Sequence, residues 1–211
     1  MSDTNALTPR QTSIGLSGAF AAIGDETGLQ TALTAGLNDE LTVNEAKEVL
    51  VQVYAYAGFP RSLNALNVLR KLQEQRESQG FRDAPGDEAS PPPTGEALLE
   101  VGTRNQTELS GSPVKGPVFE FAPAIDQFLK THLFGDIFER RNLDWRSREI
   151  ATLGMLSAQE GLASQLEAHV RISANVGISY AQMQALAGDL ERAGLTDAGK
   201  RLMTAVRNTQ K

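Results

Sequence analysis

Asp144-Trp-Arg-Ser-Arg-Glu-Ile-Ala-Thr-Leu-Gly-Met-Leu-Ser-Ala158 is the stretch on which the reading of this 211-residue chain turns. Asp144 is a helix N-cap residue, and the apolar positions behind it recur at helical spacing. The run therefore predicts one amphipathic helix. A small-residue break follows over 159–164, and then Gln165-Leu-Glu-Ala-His169 opens a second helix with its histidine on the inward side. Glu149 sits near the start of the first helix and His169 in the second. An acid and an imidazole on neighbouring helices can move protons on a small molecule. The same residues have plainer readings. His169 fits a hydrogen-bonded structural histidine, and Glu149 fits a first-turn carboxylate favoured by the helix dipole. Arg146 and Arg148 can hold a substrate carboxylate in bidentate fashion, or pair with Glu149 or a neighbouring helix.

Upstream, residues 11–75 carry helical periodicity and almost no strand signal. The best-marked start is Thr42-Val-Asn-Glu45, a capping box in which Glu45 reaches back to the cap residue. Val49, Leu50, Val53, Tyr54 and Ala57 follow at helical spacing. The pattern returns 137 residues later as Ser179-Tyr-Ala-Gln182 with Met183, Leu186, Ala187 and Leu190, and the same shift aligns Leu29 with Leu166 and Leu16 with Leu153. An internal duplication is predicted, each copy a helical hairpin plus a capped helix. Between the copies, Ser78 to Pro117 is rich in Gly, Pro and charge and contains Pro91-Pro-Pro93. That composition predicts a linker or extended arm rather than a packed element. From Ala122 helix resumes, with Ile125, Phe128, Leu129, Leu133, Phe134 and Ile137 forming an apolar face.

Composition narrows the function classes. Hydrophobic residues at 40% suffice for a core, and a net charge of −6 disfavours nucleic acid or an anionic membrane as partner. No apolar run approaches the ~20 residues that span a bilayer. The start, Met1-Ser-Asp-Thr-Asn-Ala-Leu-Thr-Pro-Arg10, lacks the basic region and apolar core of a signal peptide, so a cytoplasmic location is expected. With no cysteine, disulfides, thiolate metal sites and thiol redox chemistry are excluded. With only His132 and His169, one chain cannot build a polyhistidine metal centre. Neither metal nor cofactor is expected.

Three segments in order resemble the carboxymuconolactone decarboxylase family and its AhpD-like relatives: Tyr54-Ala-Tyr-Ala-Gly-Phe-Pro-Arg-Ser-Leu-Asn-Ala-Leu66, Phe121 to Phe138, and Asp144 to Val170. The resemblance is to the tandem form and covers nearly the whole chain. It implies an all-α fold of two AhpD-like units related by a pseudo-two-fold axis: residues 1–77, then the 78–118 linker or arm, then residues 119–211. It also implies self-association, as a homotrimer with pseudo-hexameric symmetry. In the family's peroxidase branch a Cys-x-x-Cys pair precedes the histidine. The positions here are Leu162 and Gln165, so thiol peroxidase chemistry is impossible.

The 137-residue shift sets Thr12 against Glu149 and Ala32 against His169, so the first copy lacks both proton-transfer groups while keeping Tyr56, Gly58, Pro60 and Arg61. A composite pocket is the expected arrangement. Its catalytic residues are His169 and Glu149, and Arg148, Arg61 and Tyr56 bind a small carboxylated or carbonyl substrate for decarboxylation or isomerisation. The competing expectation is a degenerate, non-catalytic helical protein kept for assembly or binding. Tyr54 and Tyr56 also fit core and rim aromatics, and His132 and Trp145 fit structural roles.

Overall fold

The computed structural model describes residues 6–210, and among these it is all-helical, with no β-strand. The chain runs α1 (Pro9–Ile23), α2 (Glu26–Asn38), α3 (Val43–Ala57) and α4 (Phe59–Ser78). After an irregular segment come α5 (Glu96–Ser110), α6 (Pro117–Phe121), α7 (Pro123–Phe128) and a π-helix over Leu129–Ile137. The chain closes with α8 (Trp145–Ala158), α9 (Ala163–Asn175), α10 (Tyr180–Arg192) and α11 (Thr196–Thr209). None of these helices is long and apolar enough to cross a membrane.

Local chemistry sets the boundaries. Both expected capping boxes form: the Thr42 side chain accepts from the Glu45 amide, and Ser179 does the same for Gln182. Asp144 caps α8 by accepting from the Ser147 amide at 2.8 Å. Gly24 ends α1 in the left-handed conformation, where a side chain would be strained.

The axis of the molecule is the crossing of α1 on α8, which the smallest residues permit. A Cβ on Gly154 would stand 2.1 Å from the Gly15 carbonyl oxygen, and one on Gly18 would stand 2.6 Å from that of Ala151. Backbones this close leave no face of α8 in solvent. Every residue from Ser147 to Ser157 is buried, so α8 is enclosed rather than amphipathic. The main core surrounds this pair, with Ile14, Leu33, Leu50, Leu69, Ile150 and Leu153 among its fully buried side chains. Because α8 has no solvent side, its polar residues Arg148, Glu149 and Thr152 must find partners inside the protein.

Two expectations need correction. The 78–118 segment is not simply a linker, because α5 lies within it and packs on the π-helix. A Cβ on Gly102 would meet the Lys130 carbonyl oxygen at 1.7 Å, and Leu109 joins Leu133, Phe134, Ile137, Phe138 and Ile172 in a second, smaller core. Even the irregular part is tied down. Ala84 and Pro85 carbonyls accept from the otherwise unpaired Val43 and Asn44 amides of the first turn of α3, and Asp83 pairs with Arg76. The second correction concerns 122–137, which is not one helix with one apolar face. Winding changes at Leu129, and bonds such as Phe138 N–H to the Leu133 carbonyl reach back five residues. The wider turn changes the phase of the face. Leu133, Phe134 and Ile137 are buried, whereas Ile125 and Phe128 are 44% and 61% exposed.

The glycine crossing makes a direct prediction. Gly154→Ala should destabilise the protein by about 1–3 kcal/mol through overpacking. Gly188→Ala on α10, where the new methyl meets only the flexible tip of Arg192 at 3.2 Å, should be neutral or stabilising by up to ~1 kcal/mol. Thermal melts of the two variants decide it, and equal losses would contradict the crossing.

Candidate acid–base site

The enclosed polar face of α8 meets a matching stripe on α3. Glu48, Gln52 and Tyr56 follow at intervals of four residues and so lie on one side of α3. Opposite them stand Arg148, Glu149 and Thr152. Glu48 is the hub. Arg140 donates to both of its oxygens, through Nη2 at 2.6 Å and Nε at 3.0 and 3.1 Å, and Arg148 Nη2 donates at 2.9 Å. Burial alone would raise the Glu48 carboxyl. The hydrogen bonds and charges of Arg140 and Arg148 outweigh it and hold the group below its ordinary value. Arg148 also donates to the Arg140 carbonyl at 2.7 Å and to Gln52 Oε1 at 3.3 Å. Gln52 Nε2 donates in turn to the Arg148 carbonyl at 3.0 Å and the Thr152 hydroxyl at 2.8 Å.

One turn along, the ladder reaches Glu149 and His169. His169 Nδ1 lies 2.9 Å from Glu149 Oε2, with Glu149 fully buried and His169 9% exposed. A carboxylate only accepts, so Nδ1–H donates to Glu149. The break between α8 and α9 lets the two helices fold back on each other and brings the pair together. The Tyr56 ring stands edge-on to the imidazole, with centroids 5.6 Å apart. Burial, and secondarily the neighbouring Glu149 carboxylate, push the Tyr56 hydroxyl well above its ordinary range, so it remains a proton donor. Among the described residues, Glu149 Oε1 is buried without a hydrogen-bond partner, and the buried Tyr56 hydroxyl has the Thr152 side chain as its polar neighbour.

Of the five residues expected at the site, three therefore come together: His169, Glu149 and Tyr56. Arg148 is adjacent in sequence but fully buried, with its charge matched by Glu48. That pairing turns the Arg148 guanidinium toward α3. Arg61 is exposed, and its guanidinium lies against Gly24 at the C-terminal end of α1, where a cation offsets the helix dipole. Arg146 donates to Gln182 at 2.8 Å. His132 is half exposed and pairs with Asp136 at 2.6 Å, while the Trp145 indole donates to the Phe138 carbonyl at 2.8 Å. Glu48, Gln52, Arg140 and Thr152 were not anticipated. The polar stripe at 48, 52 and 56, beside the apolar face of the same helix, was the available signal.

Removing one partner of a buried pair leaves the others uncompensated, so Glu48→Gln should cost about 3–5 kcal/mol at pH 7. A carboxyl held below its ordinary value contributes stability that is complete above that value, 4.5, and is lost as pH falls through the folded-state value. The gap between wild type and Glu48→Gln in urea melts should therefore shrink between pH 7 and pH 3. A gap that stays constant would show that Glu48 is not titrating against the two arginines. No protein-family model matches the chain, and no curated protein matches it.

Proposed function

We propose that the protein is a carboxymuconolactone decarboxylase-like enzyme that performs cofactor-free acid–base chemistry, of the isomerisation or decarboxylation type, on a small carboxylated or carbonyl compound. The observation that carries this reading is the buried Glu149 bonded to His169 at 2.9 Å, with Glu149 Oε1 left without a partner among the described residues. A carboxylate polarised by an imidazole can take a proton from carbon on one side and pass charge to the ring on the other. The tandem, pseudo-symmetric reading draws support from helix boundaries. Helices starting at Pro9, Glu26, Val43 and Phe59 are followed by others starting at Trp145, Ala163, Tyr180 and Thr196, each 136 or 137 residues on. Arg10 reaches Ser147, its counterpart under the 137-residue shift, at 3.4 Å, which is what residues beside a two-fold axis do. Arg10 also pairs with Glu45, as Arg146 pairs with Gln182, so the closing residue of each capping box is gripped by an arginine.

A second reading, a non-catalytic assembly protein, is favoured by an apolar set left in solvent. Val118, Phe121 and Phe128 are 58%, 90% and 61% exposed, and Phe59 and Leu63 are 63% and 61% exposed. Such a surface on a lone chain supports self-association, with a homotrimer as the proposed assembly.

Deuterium incorporation separates the readings. Small carbonyl and carboxylated compounds incubated in D2O with the enzyme should gain deuterium at carbon, read by mass spectrometry. His169→Asn retains an N–H donor for Glu149 and should fold, but should lose about 10²–10⁴-fold in rate. Incorporation that is absent for every compound, or undiminished in His169→Asn, would favour the assembly reading.

A further inference from the structure

A groove of about 500 Å³ runs between α1 and α2, and none of its lining residues belongs to the acid–base pair. That size suits a small molecule, since such sites span roughly 300–1,000 Å³. Leu16 and Phe20 of α1 and Gly28, Ala32 and Asp39 of α2 line it, each set along one stripe of its helix. From Gly28 to Asp39 a helix rises about 16 Å, so the groove is elongated. Its side chains are small where the other half of the chain has large ones. The 137-residue shift sets Thr12, Ala32 and Ala193, all in the lining, against Glu149, His169 and Tyr56. The same shift sets Ala35 and Asp39 against Ile172 and Val176. Those two pack in the smaller core with Leu109 and the π-helix, whereas Ala35 and Asp39 are exposed. The groove is thus both hollow and open.

Its charge has one sign. No lysine or arginine lines it. Asp39, the C-cap residue of α2, has no hydrogen bond or ion pair through its carboxylate among the described residues, and α2 has no basic residue in its last turn. The negative end of the helix dipole therefore stands at the rim with no cation from its own helix. Within the groove, Ser13 is only 4% exposed, and its hydroxyl has no hydrogen-bond partner among the described residues. The Thr12 hydroxyl, by contrast, donates to Asp189 at 3.1 Å.

We propose that the groove between α1 and α2 binds a primary amine carried on an unbranched apolar chain. The ammonium donates to the Asp39 carboxylate at the C-terminal end of α2, where side-chain charge and helix dipole both favour a cation. The chain runs along the two helices toward Phe20, and burial of its methylenes on Leu16, Ala32 and Ala193 supplies most of the affinity. An alcohol of the same chain keeps the burial and lacks the charge. A carboxylate of the same chain meets Asp39 with like sign and is disfavoured. Binding here needs neither Glu149 nor His169, so it stands or falls independently of the acid–base chemistry.

Saturation-transfer NMR titrations of the full chain at pH 7 with octylammonium, octan-1-ol and octanoate, each below its micellar concentration, test the groove. Octylammonium should bind most tightly and octanoate most weakly. Asp39→Asn should weaken octylammonium about 2–5-fold, the range of an exposed ion pair, and leave octanol unchanged. Ala32→Leu fills the groove from within and should abolish transfer to octylammonium. Ala193→Leu, at a partly exposed position of the lining, should do the same and keeps the test valid if Ala32→Leu fails to fold. Octanoate binding as tightly as octylammonium overturns the proposal, as does the absence of transfer to octylammonium or undiminished transfer in Ala193→Leu. An amine preference that survives intact in Asp39→Asn also overturns it, because the net charge of −6 would then account for the preference.

Discussion

Glu48 organises the interior on which everything else rests. A carboxylate taken out of water is expensive, and its attraction to one cation rarely repays the desolvation. Here two arginines share it. Arg140 arrives from the segment after the π-helix and Arg148 from the first turn of α8, while Glu48 belongs to α3, about a hundred residues earlier. Three distant parts of the chain are thus fixed to one side chain. The glycine crossing of α1 on α8 makes this arrangement unavoidable, because a helix with no solvent face has nowhere else to put Arg148.

With that link in place, the acid–base pair follows from geometry. Arg148 held on Glu48 sets the rotation of α8, and the next residue, Glu149, then turns toward α9 and His169. Gln52 pins the same turn from the α3 side by donating to the Arg148 carbonyl and to Thr152. Tyr56, one further turn along α3, is placed beside the imidazole by the same helix that carries Glu48 and Gln52. The ladder is polar from end to end, with both oxygens of Glu48 bonded and with Arg148 Nε and Glu149 Oε1 left without a partner among the described residues.

The parts of this structure that the sequence revealed are those encoded locally. Thr42 with Glu45 and Ser179 with Gln182 announce helix starts within four residues, and the caps form where those residues stand. The closeness of Glu149 and His169 was readable too, because a short break between two helices forces a hairpin. What escaped depends on partners far away in the chain. Helix α5 has no side-chain cap at its start, and it contains Gly102 and several β-branched or short polar residues of modest helix propensity. Its order comes from packing Gly102 and Leu109 against the π-helix. The π-helix shifts the hydrophobic phase in mid-segment, and a fixed 3.6-residue template misplaces Ile125 and Phe128 for that reason.

The role of Arg148 shows the same limit at the site itself. On a helix wheel an arginine beside a candidate catalytic glutamate reads as a substrate clamp, and nothing within twenty residues says otherwise. Its partner Glu48 becomes recognisable only as part of a stripe with Gln52 and Tyr56, set beside an apolar face that would otherwise be continuous. Once the arginines are assigned to Glu48, the Arg148 guanidinium no longer reads as a substrate clamp, and Glu149 stands with an imidazole and a phenol as company. The long-range ion pair thus has a consequence beyond stability: by drawing the Arg148 guanidinium onto Glu48, it sets which groups are left around Glu149 and His169.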